Sequence, residues 1–326
     1  MANVLTSLAA DLYKAAEIAG RSAVGFIPSV TVNAGSEVAA QNTTVKSFTT
    51  VEGTINTSVT PSMTIPEGDD NTVGVDTMTL DREINAKIPF TGEDQLYLDQ
   101  SSGFKTVYGQ LITRKMEGMI RTIEAAVALE AYTNSTRAVG TAGTTPFGSN
   151  FDTVAEARQI ILDNDMPVND GQLSLIVNSS AGTKLRNLAQ LQKVNEAGGS
   201  DLLRQGTLLD LQGFMFKESS GVQNHVKGTA ASALVNGALV AGATSIVFDT
   251  STPGASGFKA GDVITIAGDA NKYVVVGGVT LTGASGTVEI ASPGLRTAAA
   301  NNAAITVGDS YAANIGLHRS AIELAI

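Results

Sequence analysis

The chain reads as an α+β protein organised around one long helix, and three observations set that reading. Residues 101–134 carry no proline and repeat apolar side chains every three or four positions. Residues 54–90 alternate like the two arms of an extended hairpin, and residues 229–309 break into short β runs separated by Gly, Pro, Asn and Asp turns. With 326 residues the chain is long enough for at least two cores.

The long helix is SSGFKTVYGQLITRKMEGMIRTIEAAVALEAYTN. Tyr108, Ile112, Met116, Met119, Ile123 and Val127 fall on one stripe, with Ser101 or Ser102 placed to cap the start. Glu117 and Arg121 stand at the favoured helix spacing for an ion pair. At about 1.5 Å per residue the rod is roughly 45–50 Å long, several times an ordinary helix, so it is a strut. Gly109 and Gly118 each weaken it by about 1 kcal/mol relative to alanine, which points to close packing at those positions.

Composition narrows the chemistry. There is no cysteine and there are two histidines, His225 and His318. Disulfide frameworks, thiolate zinc sites and thiol catalysis are therefore excluded, and a histidine-based site has those two rings to draw on. A net charge of −10 argues against gripping nucleic acid, whose phosphates attract lysine and arginine. An acidic protein can still enclose a genome. Charged residues make up 16% of the chain and apolar residues 43%, a surface poor enough in charge to expect that partner subunits cover much of it. No apolar run reaches the roughly twenty residues that span a bilayer. Val4–Ile18 has no basic leader and is interrupted by Asp11, Lys14 and Glu17, so it is read as an amphipathic helix of a soluble, cytosolically made protein rather than as a signal peptide.

From the N-terminus, that short helix ends at Gly20, and residues 29–51 form a β-rich arm that packs on its own domain or reaches a neighbour. The hairpin arms are TINTSVTPSMTIP and VDTMTLDREINAKIPF, around an acidic tip from Glu67 to Gly74. Pro61 and Pro66 keep the first arm out of a sheet centre. A ribbon of this kind is marginal alone in water, so it needs something to lie on. After the strut comes a loop at 139–150, then a capping box, Thr153 to Glu156, opening a helix through Ile160 and Leu162. A buried strand, Leu173–Val177, leads to a helix over 180–194 with Leu185, Leu188 and Leu191 inward. TSIVF, DVITIA, KYVVVGG, VTLTG, TVEIA and AAITVG then mark a small barrel or sandwich. Because NIGLHRSAIELAI is strand-like again, the module is inserted, and the terminal strand is expected to return to the sheet beside the strut.

No constellation of catalytic spacing emerges. GASGFKAG at 254–261 lacks the Gly-Lys-Ser/Thr ending of a phosphate loop and precedes a strand, so it reads as a β-turn. Asp163, Asp165 and Asp170 lack the glycine and closing glutamate of a calcium loop, and Pro167 breaks their spacing. His225 and His318 read as packed or solvated rings without a carboxylate or nucleophile companion, and no Gly-x-Ser-x-Gly elbow is present. Lys87 reads as an ordinary surface lysine. The expectation is a chain with no active site, no metal and no cofactor.

LIVNSSAGTKLRNLAQLQKVNEAGGSDLLRQGTLLDLQGFMFKES at 175–219 resembles the major coat proteins of tailed bacteriophages, in the group typified by a Salmonella podophage coat with an inserted β domain. FKAGDVITIAGDANKYVVV, GTVEIASPGLRTAAANNAAITV and NIGLHRSAIELA extend the resemblance to nearly half the chain. It implies the Hong Kong ninety-seven type capsid fold. On that reading residues 1–53 are an N-terminal arm, 54–92 the extended hairpin loop, 93–138 the peripheral domain with its spine helix, 139–228 the axial α/β domain, 229–309 the inserted β module and 310–326 a short terminal strand returning to the peripheral or axial core.

The resemblance also implies a function: a major capsid protein of the virion, assembled in the bacterial cytoplasm into hexamers and pentamers of itself. Its partners would be a scaffolding protein, a portal protein, a decoration protein in some members, and enclosed double-stranded DNA bound without sequence preference. No membrane is involved. The charged residues of hairpin and strut, Glu67, Asp69, Asp70, Arg82, Lys87, Arg114 and Arg121, become candidate inter-subunit contacts. Two rival readings stay open: a cellular nanocompartment shell of the encapsulin kind on the same fold, and a β-rich surface binding protein.

Overall fold

The computed structural model describes residues 25–33, 44–50, 73–88, 104–193, 210–251, 254–281 and 283–325. The chain divides into two compact units, residues 32–85 with 323–326 and residues 1–31 with 86–322. The expected N-terminal helix, the capping serines of the strut and the acidic tip through Thr72 lie outside the described residues.

The smaller unit is built on a two-stranded antiparallel ribbon. Strand β1 (Thr31–Asn33) enters it, and Asn33 donates to Glu323 at 2.7 Å. Strands β2 (Thr44–Thr50) and β3 (Val73–Thr79) then pair with Thr44 opposite Thr79 and Thr50 opposite Val73. The ribbon corrects the expected hairpin. Val73 and Gly74 belong to a strand rather than to the tip, and their partners come from the segment expected to be an arm. TVKSFTT is β-branched and free of proline, as a ladder strand requires, and the expected first arm, residues 54–66, lies outside the described residues. Leu80–Ile88, expected to continue the second arm, carries no strand.

In the larger unit the strut is α1 (Phe104–Thr133), 30 residues without interruption. Burial is densest in its last turns, at Glu124, Val127, Ala128, Ala131 and Tyr132, with Ile112 also buried further up, while Leu111 and Leu129 face solvent. Gly109 and Gly118 do not mark close packing, since a Cβ at either would meet nothing within 4 Å. Their carbonyls instead accept the Thr113 and Thr122 hydroxyls one turn on, both at 2.9 Å.

Strand β4 (Arg137–Ala138) leads to α2 (Asp152–Asp163), which starts one residue before the expected capping box. Phe151 occupies the cap position; its side chain has no acceptor to offer, and its ring packs against the core instead. Thr153 is thereby drawn into the first turn, where its hydroxyl is buried and unpaired. Asp152 places negative charge at the positive end of the helix and accepts from Asn150.

Strand β5 (Leu173–Val177) is buried along its whole length, as an unbroken apolar run requires. Asn178 then caps α3 (Ser179–Arg186) by accepting from Ala181 N at 2.8 Å. The expected single helix breaks at Asn187. Leu188 is extended and α4 (Ala189–Gln192) follows, yet Leu185, Leu188 and Leu191 all reach the core. Strand β6 (Met215–Glu218) runs parallel to β5 on its far side.

Strand β7 (Asn224–His225) leads into the β module. There β8 (Ala233–Val235), β9 (Ser245–Asp249), β10 (Gly254–Phe258), β11 (Val263–Ile266), β12 (Lys272–Gly277), β13 (Val279–Leu281), β14 (Gly286–Ile290) and β15 (Ala304–Val307) follow. Neighbours run β11–β15–β8–β9–β14–β12, and β12 pairs back onto β11, which closes a six-stranded antiparallel barrel and removes its edges. Phe248 and Phe258 meet edge to face at 4.9 Å inside it, among Ile246, Ile264, Ile266 and Val288. GASGF is thus a strand, β10, paired with β13 rather than the expected turn; the turn comes after it, at Gly261 with φ +91°. Strand β16 (Tyr311–Ala312) leaves the barrel by pairing with β7. Strand β17 (Ile315–His318) lies antiparallel on β5, giving the sheet order β17–β5–β6. The returning strand therefore completes the α/β sheet.

Candidate functional site

Each buried acid of the larger unit holds several donors, and the first is on the strut. Glu124 is 2% exposed on the same face as Val127, Ala128 and Ala131. Its Oε1 accepts from Gly25 N at 2.6 Å, Phe26 N at 2.8 Å and Ser219 Oγ at 2.7 Å, and its Oε2 from Ile27 N at 3.0 Å. One carboxylate thus fastens the entering chain and the segment after β6 to the strut. The fit is tight, because a Cβ on Gly221 would stand 2.6 Å from Glu124 Cγ. Beside it Lys217 Nζ donates to Ser29 Oγ at 2.8 Å. Burial, then the charge of Arg319, lowers the Lys217 pKa, with Glu124 pulling the other way.

A second joint sits where the barrel begins and ends. His225 in β7 faces Tyr311 in β16, with ring centroids 5.3 Å apart, and Tyr132 from the end of α1 lies 5.7 Å away. Asp262, fully buried, accepts from His225 Nε2 at 2.8 Å, Gly228 N at 2.9 Å and Lys259 N at 2.7 Å. Tyr311 donates to Gly261 O at 2.7 Å, and its hydroxyl pKa is pushed up by burial and by the neighbouring Tyr132 and Asp262.

A third joint ties the barrel wall to α2. Arg137 pairs with Asp163 at 3.3 Å, and Arg296 donates to Asp163 O at 2.5 Å and Asn164 Oδ1 at 2.8 Å. Two cations thus meet the carbonyl end of that helix, where positive charge is favoured. Tyr273 donates to Asp269 at 2.6 Å; burial, reinforced by that acid, raises its pKa to about 12. A cleft of about 1170 Å³ opens between the end of α1, the 139–150 loop, α2 and β17, with the unpaired Nε of Arg137 and hydroxyl of Thr153 in its walls.

His318 also has a carboxylate, contrary to expectation. Its Nε2 meets Asp170 Oδ2 at 2.7 Å and its Nδ1 meets Ser320 Oγ at 2.7 Å. Because Nδ1 also accepts the Ser320 backbone N–H at 3.2 Å, the ring carries its proton on Nε2 and caps the turn at 319–321. Asp170 is held below the usual carboxylate range, first by the His318 hydrogen bond and then by Gln172 N. Two of the three acids in this turn are therefore committed, Asp163 to Arg137 and Asp170 to His318.

Of the expected contact residues, Glu67, Asp69 and Asp70 lie outside the described residues. Arg82 and Lys87 are exposed, and Arg114 and Arg121 are exposed two turns apart on α1. Among the described residues Glu117 and Arg121 form no ion pair. The ribbon carries a run of exposed apolar side chains. Phe48 stands directly opposite Val75, so the two share a face with Val73, and the three are 69%, 46% and 54% exposed.

The joints escaped sequence reading because their partners are remote. Glu124 carried one signal, a lone acid inside an apolar stripe.

The chain matches no protein-family model and no curated protein. Among solved structures, a chain from Mycobacterium phage Che8 is similar over 93% of this chain and 90% of that one, at 16% identity and a TM-score of 0.46, a level from which no shared fold is read.

Proposed function

We propose that this chain is the major capsid protein of a tailed bacteriophage, a non-enzymatic subunit that assembles into hexamers and pentamers of an icosahedral head around double-stranded DNA. The reading starts from the sequence resemblance, and one structural observation carries it further: the β2–β3 ribbon. An isolated two-stranded ribbon is marginal in water, and one with Phe48, Val73 and Val75 on a single exposed face is a surface that a partner must cover. A neighbouring subunit is that partner, through head-to-tail contacts that close into rings. Within the Hong Kong ninety-seven type fold, α1 takes the place of the spine helix and the ribbon that of the extended loop. The β17–β5–β6 sheet with α2 and α3 stands for the axial domain, and the barrel is the inserted module. A scaffolding protein, a portal and in some phages a decoration protein complete the assembly, formed in the host cytoplasm.

The use of buried acids supports the same reading. Glu124 and Asp262 are spent on holding segments together, which leaves the surface to do the work. The test is expression of the chain alone and with its scaffolding protein, followed by light scattering and negative-stain microscopy. Closed shells, tubes or spirals tens of nanometres across are expected in at least one of the two preparations, on the dimensions of many repeated obligate interfaces of about 2,000–5,000 Å² each. Phe48→Asp with Val75→Asp should leave a folded monomer that no longer assembles. Monomer in both preparations, or full particle yield from the double variant, overturns the proposal.

A further inference from the structure

The barrel carries one chemically labile peptide link whose position is controlled by a neighbour. Asn236 and Gly237 follow β8 directly, and both are exposed. Gly237 takes φ +86°, the left-handed conformation that suits glycine. In an Asn-Gly link the glycine nitrogen, once it gives up its proton, can attack the asparagine Cγ. The new N–C bond closes a succinimide ring and the side-chain nitrogen leaves as ammonia. Water then opens the ring to aspartate or to isoaspartate, in which the main chain runs through the former side chain. Glycine favours the attack because no Cβ shields its nitrogen.

In this structure the attacking nitrogen is held. Gly237 N donates to Asn301 Oδ1 at 2.7 Å. On the other side Asn236 N donates to Val247 O at 2.9 Å, within the barrel wall. Bringing the Gly237 nitrogen to Cγ requires rotation between these two anchors, so one must open first. The Asn301 bond is the weaker, being a single exposed side-chain contact. Val247 belongs to β9, and the strands around it are tied by Val235 N to Ala303 O at 2.9 Å and Asn302 N to Val235 O at 2.8 Å.

We infer that Asn236–Gly237 is a site of spontaneous deamidation in the folded protein, and that the Asn301 side chain is the catch that sets its rate. The product adds a negative charge to a chain already at −10, and isoaspartate lengthens the main chain between β8 and β9 at the barrel rim. The inference is independent of the proposed function, and it matters for any assembly that outlives ordinary protein turnover.

The experiment incubates the full chain in mildly alkaline buffer and follows the tryptic peptide 228–259, whose only side-chain amide is Asn236. Mass spectrometry reads amide-to-acid conversion, and an isoaspartyl methyltransferase labels the rearranged product. The folded wild type should convert more slowly than the same chain in denaturant. Asn301→Ala should convert about fivefold faster than wild type, the rate equivalent of one hydrogen bond of ~1 kcal/mol. Asn301→Asp keeps an acceptor oxygen and should stay near wild type. Equal rates for Asn301→Ala and wild type overturn the inference. If melting curves show that Asn301→Ala does not fold, equal rates for the native and denatured wild-type chain do the same.

Discussion

Replacing Glu124 with glutamine tests whether one carboxylate holds the entering chain, the strut and the segment after β6 together. The side chain keeps its shape but loses its charge and one acceptor. Oε1 as an amide oxygen can still face Gly25 N, Phe26 N and Ser219 Oγ, but the new NH2 group then points at Ile27 N–H, donor against donor. A hydrogen bond to a charged group contributes about 1.5–3 kcal/mol and an unmatched buried donor costs about 1–3 kcal/mol. With the site only 2% exposed, solvent cannot repair the mismatch. The sum, about 2.5–6 kcal/mol, brackets the cost of breaking a buried charge pair. The assay is urea unfolding of the monomer, with the slope checked for constancy so that the midpoint shift reports stability. Ser219→Ala removes one donor of four and should cost about 1 kcal/mol. Because its bond ends on the Glu124 oxygen, the double variant should cost less than the two singles added. A loss below about 1 kcal/mol for Glu124→Gln, or strict additivity with Ser219→Ala, refutes the reasoning.

Gly109→Ala and Gly118→Ala should each raise monomer stability by about 1 kcal/mol, since a Cβ at either meets nothing. If both variants melt higher but particle yield falls, the glycines serve a subunit contact. Asp262→Asn keeps one acceptor for three donors and should cost about 3–5 kcal/mol in thermal or urea melts, with the barrel loosened from the strut. Acid should weaken the protein through Asp170, whose folded pKa lies below the ordinary 3.8. The unfolded chain then binds the proton more readily, so this contribution is whole above pH 3.8 and fades as pH falls through the folded value. Asp170→Asn should flatten that limb of a urea-midpoint-against-pH curve; an unchanged curve removes Asp170 from the account.

Elements with strong periodicity were legible. The strut follows from apolar spacing alone, and β9, β11, β12 and β14 from runs such as SIVF and YVVV. Strands β8 and β10 were not, because ALV and GASGF hold few β-branched residues; β8 is set by barrel closure and β10 by pairing with β13. The hairpin register also escaped. Alternation marks a strand but does not name its partner, so the pairing of Phe48 with Val75 and of Val45 with Met78 was not readable. Least legible were the joints. Glu124 meets residues 95 to 99 positions away, and His318 meets Asp170 across 148. Nothing local to either histidine announces its carboxylate.

The three joints share one property that bears on how the subunit carries load. Glu124, Tyr132 and Arg137 all lie in the last turns of α1 or just beyond it, and through them the entering chain, the barrel root and the end of α2 are fastened to one end of the strut. The preceding half differs in its own sequence: it holds both helix-weakening glycines, Gly109 and Gly118, and the exposed cations Arg114, Lys115 and Arg121. Each glycine lowers helix stability by about 1 kcal/mol, and neither is repaid by packing among the described residues. On the proposed capsid reading, such a helix would be stiffer where it bears the barrel and more yielding in the glycine-bearing half. If the chain builds a shell as proposed, with subunits in both pentamers and hexamers, adjustment in the glycine-bearing half would leave the fastened end unchanged.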